Sequence, residues 1–465
     1  MAMMVRTRRV LVLAFAFLLA ACSEQAAAPR PSLTPEVRPS PTATPRPTNA
    51  ANDVIYLRSV ASGGVTNILA IDARTGETLR TLADGSLSSD RATLYAPEQI
   101  SGATQTLVHV VDVATSRELR SFTLDGAYRA IWTDSGLTAL SRDGSHLALA
   151  NSPVKIDGDW LTKFAVVDAS TGTTNAVFEV KGQSTYGFVA FSPDGRSLYL
   201  NQFGEGATKL RVFDVPSATL LPAVTAGGAG LTQNGFRTPG ILSPDGRWMF
   251  SLDAGSATTN CTSTDGPQCI GNGMPPYVLA LDLVSRRMLT LPLPVEQRSG
   301  DFEKYLLWSI AIAPDGATAY AINPAIGVID EIDARQLTLR RAVKIASGRS
   351  DPGALAALGQ LFFPVAEAKR YITGGAVFSL DGTRIYAAAY NGITVVDAAT
   401  LGSRIWQKDN REFDALALTA DGERLYAVSN ASGVISIIST RDGTPLGELK
   451  IPAFGQTIVR IDSAR

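Results

Sequence analysis

The chain has 465 residues, enough for two or three domains or one large repeat architecture. Its 42 basic and 43 acidic residues nearly cancel, which argues against a nucleic-acid binder, and a hydrophobic content of 45% argues against a disordered chain. Abundant Gly (41) and Pro (25) point to turn-rich β structure, while two His and three Cys leave little material for a His/Cys metal centre.

Arg6, Arg8 and Arg9 precede an apolar run from position 10 to 19, too short to span a bilayer comfortably. The run ends in Leu19-Ala20-Ala21-Cys22, which resembles the bacterial lipobox. That resemblance implies cleavage before Cys22, lipidation of Cys22, and a chain anchored by its lipid on the extracytoplasmic side of a bacterial cell envelope. Residues 1–21 are then the signal peptide. Residues 22–52 combine the lipidated Cys with a Pro/Thr-rich segment whose steps, such as Pro39-Ser40-Pro41 and Pro45-Arg46-Pro47, favour an extended polyproline tether. Export to an oxidising compartment predicts a disulfide between the two remaining cysteines, Cys261 and Cys269.

Two signals recur through residues 53–465. The first is a turn, S-P-D-G in its fullest form, at 141–144, 192–195, 243–246, 313–316, 379–382 and 419–422, with a copy at 87–91 that lacks its Gly. Pro presets one turn dihedral, Asp bonds nearby amides, and Gly takes positive φ. The second is a β-branched strand closing on Asp and a polar turn, clearest at Asp72, Asp168 and Asp397. Weaker copies stand at Asp112, Asp214, Asp282 and Asp333, and Ser439 holds the place in the last. These Asp residues are read as turn caps, not as catalytic groups.

Together the signals describe a four-stranded meander too small to bury its own faces, so copies must stack. The pattern resembles the YVTN, or surface-layer-type, β-propeller family within the wider WD-repeat-like class. The resemblance implies an all-β ring of four-stranded antiparallel blades. Eight units are counted, with seven as the fallback. The first unit lacks an inner strand, and the spare strand near 456–461 is the piece that completes it and closes the ring.

In such a meander the A–B and C–D turns share one face and the B–C and D–A connections the other. Every long excursion falls on the second face: 151–161, 226–237, 254–276, 295–305 and 347–371. Long loops on a rigid scaffold are where function concentrates, and mixed aromatic and charged side chains suit a binding surface. The candidate binding residues there are Asp157, Asp159, Trp160, Arg237, Arg298, Asp301, Glu303, Tyr305, Trp308, Arg349, Phe362 and Phe363.

No G-x-S-x-G elbow or P-loop is present, and His109 and His146 fall away from the elaborated face. Quinone-binding propellers repeat a Trp after the Asp-turn, and Arg80 stands there in the first copy, so no cofactor is expected. Asp157 and Asp159 are too few acids for a calcium site, so no metal is expected. The reading is a non-catalytic binding scaffold whose partner is an envelope protein or an extracellular polymer. The alternatives are a hydrolase or oxidoreductase with its site at the channel mouth, and an outer-membrane assembly factor.

Overall fold

In a computed structural model, residues 53–463 are described except 61–65, 101–103, 132–137, 205–207, 225, 228–237, 239, 255–274, 298–306, 348–374, 390–391, 407–410 and 452–455. The predicted lipidation site Cys22 and the cysteine pair Cys261 and Cys269 lie outside the described residues.

The chain folds into eight antiparallel sheets that follow one another in sequence. In blade 4, for example, strands A to D are Thr185–Phe191, Ser197–Phe203, Lys209–Asp214 and Thr219–Leu220. Neighbouring A strands touch one another from blade 6 round to blade 1, so the A strands form the inner wall of a ring. Blade 1 takes its B, C and D strands from Val54–Val60, Thr66–Asp72 and Thr78–Ala83, and its inner strand from the far end of the chain, Gln456–Asp462. The pairing is antiparallel, from Val54 opposite Asp462 to Ser59 opposite Gln456. The ring is closed as the repeat predicted, and the count is eight.

Eight apolar clusters hold this ring, one at each blade-to-blade junction. Each middle strand is covered on both faces by neighbouring blades, so its residues are buried in runs instead of alternately. The B strand Arg424–Ser429 is buried at every position. The outermost strand has one neighbour fewer, and Thr338–Lys344 is almost wholly exposed. Burying one Leu, Ile or Phe contributes about 1.5–3 kcal/mol, and with such residues at every junction this is the dominant stabilising force.

Both repeat signals are hydrogen-bonding devices. In the A–B turn the Ser192 hydroxyl donates to Asp194 (2.6 Å) and accepts from the Ser197 amide (2.9 Å), while Asp194 accepts from the Arg196 amide (3.1 Å). Ser141, Ser243, Ser379 and Thr419 repeat the arrangement. The degenerate copy keeps it too, with Ser88 on Asp90 (2.5 Å), and Arg91 takes φ 58° where the other copies place Gly. In the C–D turn the Asp168 carboxylate accepts the Ser170 and Thr171 amides at 2.8 Å. The cap reading of these acids is correct.

A third recurring device was missed in the sequence. The B-strand tyrosine of one blade reaches the C–D turn of the next. Tyr56 donates to the Val113 carbonyl, Tyr199 to Leu283, Tyr320 to Ala398 and Tyr386 to Thr440, at 2.9–3.5 Å. Its signal was visible as a Tyr at the third position of the B strand, as in Val54–Val60, Ser197–Phe203, Thr318–Asn323 and Arg384–Ala389.

Candidate binding face

The two faces of the ring differ because their turns differ. On the A–B/C–D face the strands are joined by short turns, such as 192–196 and 169–173, each locked by its own Asp. On the other face strand ends are joined by residues 254–276 within blade 5, 293–308 between blades 5 and 6, and 345–375 between blades 6 and 7. Of the candidates, Arg237, Arg298, Asp301, Glu303, Tyr305, Arg349, Phe362 and Phe363 lie outside the described residues.

Asp157, Asp159 and Trp160 come together, but not in the loop that the sequence suggested for 151–161. The segment is a β-hairpin. Val154–Ile156 pairs with the start of the long C strand Asp159–Asp168, and Asp157-Gly158 forms a two-residue turn with φ of 54° and 89°. Asp-Gly is suited to that turn because both central residues need positive φ, as Asp tolerates and Gly permits. Asp157 pairs with Lys181 (3.4 Å) and Asp159 accepts from the Gln183 amide group (2.5 Å), so the two carboxylates are engaged by different partners. Among the described residues no group of three or more His, Cys, Asp or Glu side chains is placed to hold a metal ion. Lys155 sits over the half-buried Trp160 ring, with its Nζ 5.7 Å from the centroid. Val154 and Ile156 are 44% and 42% exposed on this hairpin, a pair of aliphatic side chains turned to solvent.

Trp308 does not join the surface. It is 1% exposed and packs with Phe250, Leu252 and Leu293 between blades 5 and 6. The residue follows a long connection in sequence, but it already belongs to the start of the next blade, where apolar bulk fills the junction. The expected loop at 226–237 also begins as structure, since Ala226–Gly227 pairs in parallel with the outer strand of blade 5. Val295–Gln297 is a single 3-10 turn.

That turn introduces a group that the sequence did not suggest. Gln297 Nε2 donates to Asp330 Oδ1 (2.7 Å) at the junction of blades 5 and 6. Asp330 is fully buried, and its Oδ2, Gln297 Oε1 and Trp308 Nε1 have no hydrogen-bond partner. Burial pushes the Asp330 carboxyl up to about 7, and the bond from Gln297 offsets only part of that. An acid so perturbed is the sort found in active sites, but a fully covered side chain offers no path to an outside substrate.

The two histidines lie elsewhere. His109 bridges Glu118 (2.7 Å) and Glu98 (3.0 Å), and its pKa is raised, chiefly by the Glu118 bond. His146 Nδ1 is 2.6 Å from Ser145 Oγ, and Ser145 in turn donates to Asp143 (2.8 Å). In a catalytic triad the acid holds the histidine. Here Asp143 holds the serine, and the trio is a turn cap.

No protein family matches the sequence, and no curated protein matches it. The structure is similar to solved ones at low identity. It shares 14% identity with the dihydro-heme d1 dehydrogenase NirN, covering 91% of this chain and 79% of that one, with a TM-score of 0.49. It shares 11% with apo AztD from Citrobacter koseri, covering 87% and 97%, with a TM-score of 0.45. It shares 13% with the β-propeller domain of Cps50 (Swd1) from Myceliophteria thermophila, covering 78% and 99%, with a TM-score of 0.40. The likeness is one of fold alone.

Proposed function

We propose that this chain is a lipid-anchored, extracytoplasmic β-propeller that binds a macromolecular partner through its B–C/D–A face, without catalysis. The observation that carries this reading is the one-sidedness of the ring. Every long connection joins strand ends on the same face, while the opposite face keeps Asp-locked turns throughout. A rigid ring that varies only on one side presents that side for recognition. The blade 3 hairpin belongs to this face and carries Val154 and Ile156 in solvent beside Lys155 and Trp160, a mixture of apolar and charged groups suited to a protein or polymer surface. The lipobox-like Leu19-Ala20-Ala21-Cys22 supports the anchor and the envelope location.

The test is covalent crosslinking and affinity capture from intact bacterial envelopes. The full-length chain is compared with a form whose 295–305 and 347–371 segments are shortened to tight turns, and with Cys22→Ser. The expected result is a partner captured by the native chain and lost on trimming, with Cys22→Ser leaving the membrane fraction. Equal capture by native and trimmed forms would overturn the use of this face. Membrane retention of Cys22→Ser would overturn the anchor.

A further inference from the structure

The buried pair Asp330 and Gln297 carries two atoms that its single hydrogen bond does not satisfy. Asp330 lies between Val328 and Ile332 on the face of its strand that packs against blade 5, with Ala321 and Ala342 opposite it in the two adjacent strands. Its polar partner therefore comes from outside its own sheet, from the 3-10 turn Val295–Gln297, whose buried residue is Gln297. Gln297 Nε2 donates to Asp330 Oδ1 (2.7 Å), while Asp330 Oδ2 and Gln297 Oε1 have no donor. A carboxylate oxygen and an amide oxygen are both acceptors, so they cannot satisfy each other. Trp308 Nε1 is a donor at the same junction and reaches neither.

A proton resolves the mismatch. A neutral carboxylic acid and a primary amide are complementary, since the amide N–H donates to one acid oxygen while the acid O–H donates to the amide oxygen. Protonated Asp330 can thus hold Gln297 by two parallel bonds. Ionised Asp330 keeps only the bond from Nε2 and buries a charge with a single donor. Its cheapest relief is hydration, and the cover that can yield without breaking a strand ladder is the short 3-10 turn.

The described charged groups around Asp330 are engaged or turned away. Glu331 faces the other side of the strand, opposite Tyr320, and pairs with Arg340 (3.6 Å) and Arg341. Lys344 stands opposite Val328 in the outer strand and Glu296 precedes Gln297, and both are exposed. In blade 5, Asp253 bonds Tyr277 (2.8 Å), which packs towards blade 4, and Arg287 lies at the Asp282 end of its strand. The inner strand Ser309–Ile312 carries no titratable side chain.

We propose that Asp330 and Gln297 form a proton-operated latch on the connection between blades 5 and 6: protonated Asp330 holds the 3-10 turn by two bonds, and its ionisation frees the turn to admit water. Burial, which moves the carboxyl's titration to about 7, sets the range over which the latch works. The turn begins a connection on the B–C/D–A face, so the proton sets the order of that edge. The latch does not depend on that face binding a partner, because it is read from the turn itself.

The test is hydrogen–deuterium exchange of the full-length chain in detergent at about pH 5 and about pH 9, corrected for the intrinsic rate and read by mass spectrometry. The Gln297 amide bonds the Pro294 carbonyl (3.0 Å) and reports on the turn. Its protection is expected to fall about tenfold at the higher pH, while the fully buried strand Arg424–Ser429 of blade 8 falls far less. Asp330→Asn presents a donor and an acceptor at every pH, so the turn is expected to stay protected at both. Asp330→Thr, which copies Thr394 at the matching position of blade 7, is a second uncharged variant expected to lose the pH dependence if Asp330→Asn fails to fold. The proposal is overturned if the native turn is equally protected at both pH values, which would mean that another donor such as a trapped water serves the two acceptors. It is also overturned if the blade 8 strand loses as much protection as the turn, or if the uncharged variants keep the native pH dependence.

Discussion

Asp53 and Arg424 stand 371 positions apart and form a buried ion pair at the junction of blades 8 and 1. The guanidinium donates through Nε (2.9 Å) and Nη2 (3.1 Å), and the Tyr426 hydroxyl adds a third bond to the same carboxylate at 2.7 Å. At the other junctions where the B-strand tyrosine bonds the next blade, its acceptor is a backbone carbonyl of the next blade. At the closing junction the acceptor is Asp53, just before the first strand, and the same residue's carbonyl accepts from the Ala73 amide. The seam is thus pinned on one side by strand pairing with the chain's last strand and on the other by this pair.

Removing one partner leaves the other buried and uncompensated. Arg424→Met is expected to destabilise the ring by about 3–5 kcal/mol in urea unfolding, whereas Asp53→Asn combined with Arg424→Met should recover part of that loss. A double variant no better than the single would show that the charge on Asp53 is not the source of the cost.

Asp282 shows what the C–D caps contribute. Burial alone would raise its pKa. The Arg247 guanidinium (2.8 Å) and the Val284 and Ser285 amides (3.0 and 3.1 Å) overcome that and hold the carboxyl at about 2. A carboxyl with a lowered folded pKa stabilises the fold above its unfolded value near 4, and that contribution is lost as pH falls towards 2. Asp282→Asn should therefore cost about 2 kcal/mol at pH 7 and almost nothing at pH 2, read as converging urea midpoints. Asp168 and Asp381 are also held at about 2, so the native chain should lose stability over the same acid window.

Asp330 works in the opposite sense. Its folded pKa, near 7, lies above its unfolded value, so the folded state keeps a proton that the unfolded state releases. Stability from this group is complete below pH 4, declines between about 4 and 7, and is flat above. Asp330→Asn preserves an acceptor for Gln297 and removes the ionisable group. It should raise stability at pH 8 by up to about 4 kcal/mol and leave pH 4 unchanged. An equal shift at both pH values would assign the effect to packing instead.

What was legible in the sequence was what repeats. The Asp-Gly turns, the Asp caps and the missing inner strand of blade 1 are local signals, and local signals fix the strand order, the blade count and the closure. The cap survives even at Arg91, because the Ser88–Asp90 bond holds the turn when Gly is absent. What escaped depends on partners distant in sequence. Val328–Asp333 reads as an ordinary strand, and nothing in it shows that Asp330 will meet Gln297 from the connection between blades 5 and 6. Trp308 sits beside a long connection, yet its burial is decided by Phe250 and Leu252 of blade 5.

The blade 3 hairpin permits a separation of fold from recognition. Val154 and Ile156 are exposed aliphatic side chains on a short strand paired along one side with Asp159–Leu161, and neither belongs to any of the eight junction clusters. Replacing both with Lys should shift the urea midpoint little, within about 0.5 kcal/mol, because surface changes away from packed features rarely do more. The turn Asp157-Gly158 and the Lys155–Trp160 contact are left in place, so the hairpin keeps its geometry. If this hairpin belongs to the partner-binding surface, the added charge opposes apolar contact, and crosslinked partner recovered from envelopes should fall severalfold. Full recovery with an unchanged midpoint would place recognition elsewhere on that face, and the trimmed 295–305 and 347–371 forms would then locate it.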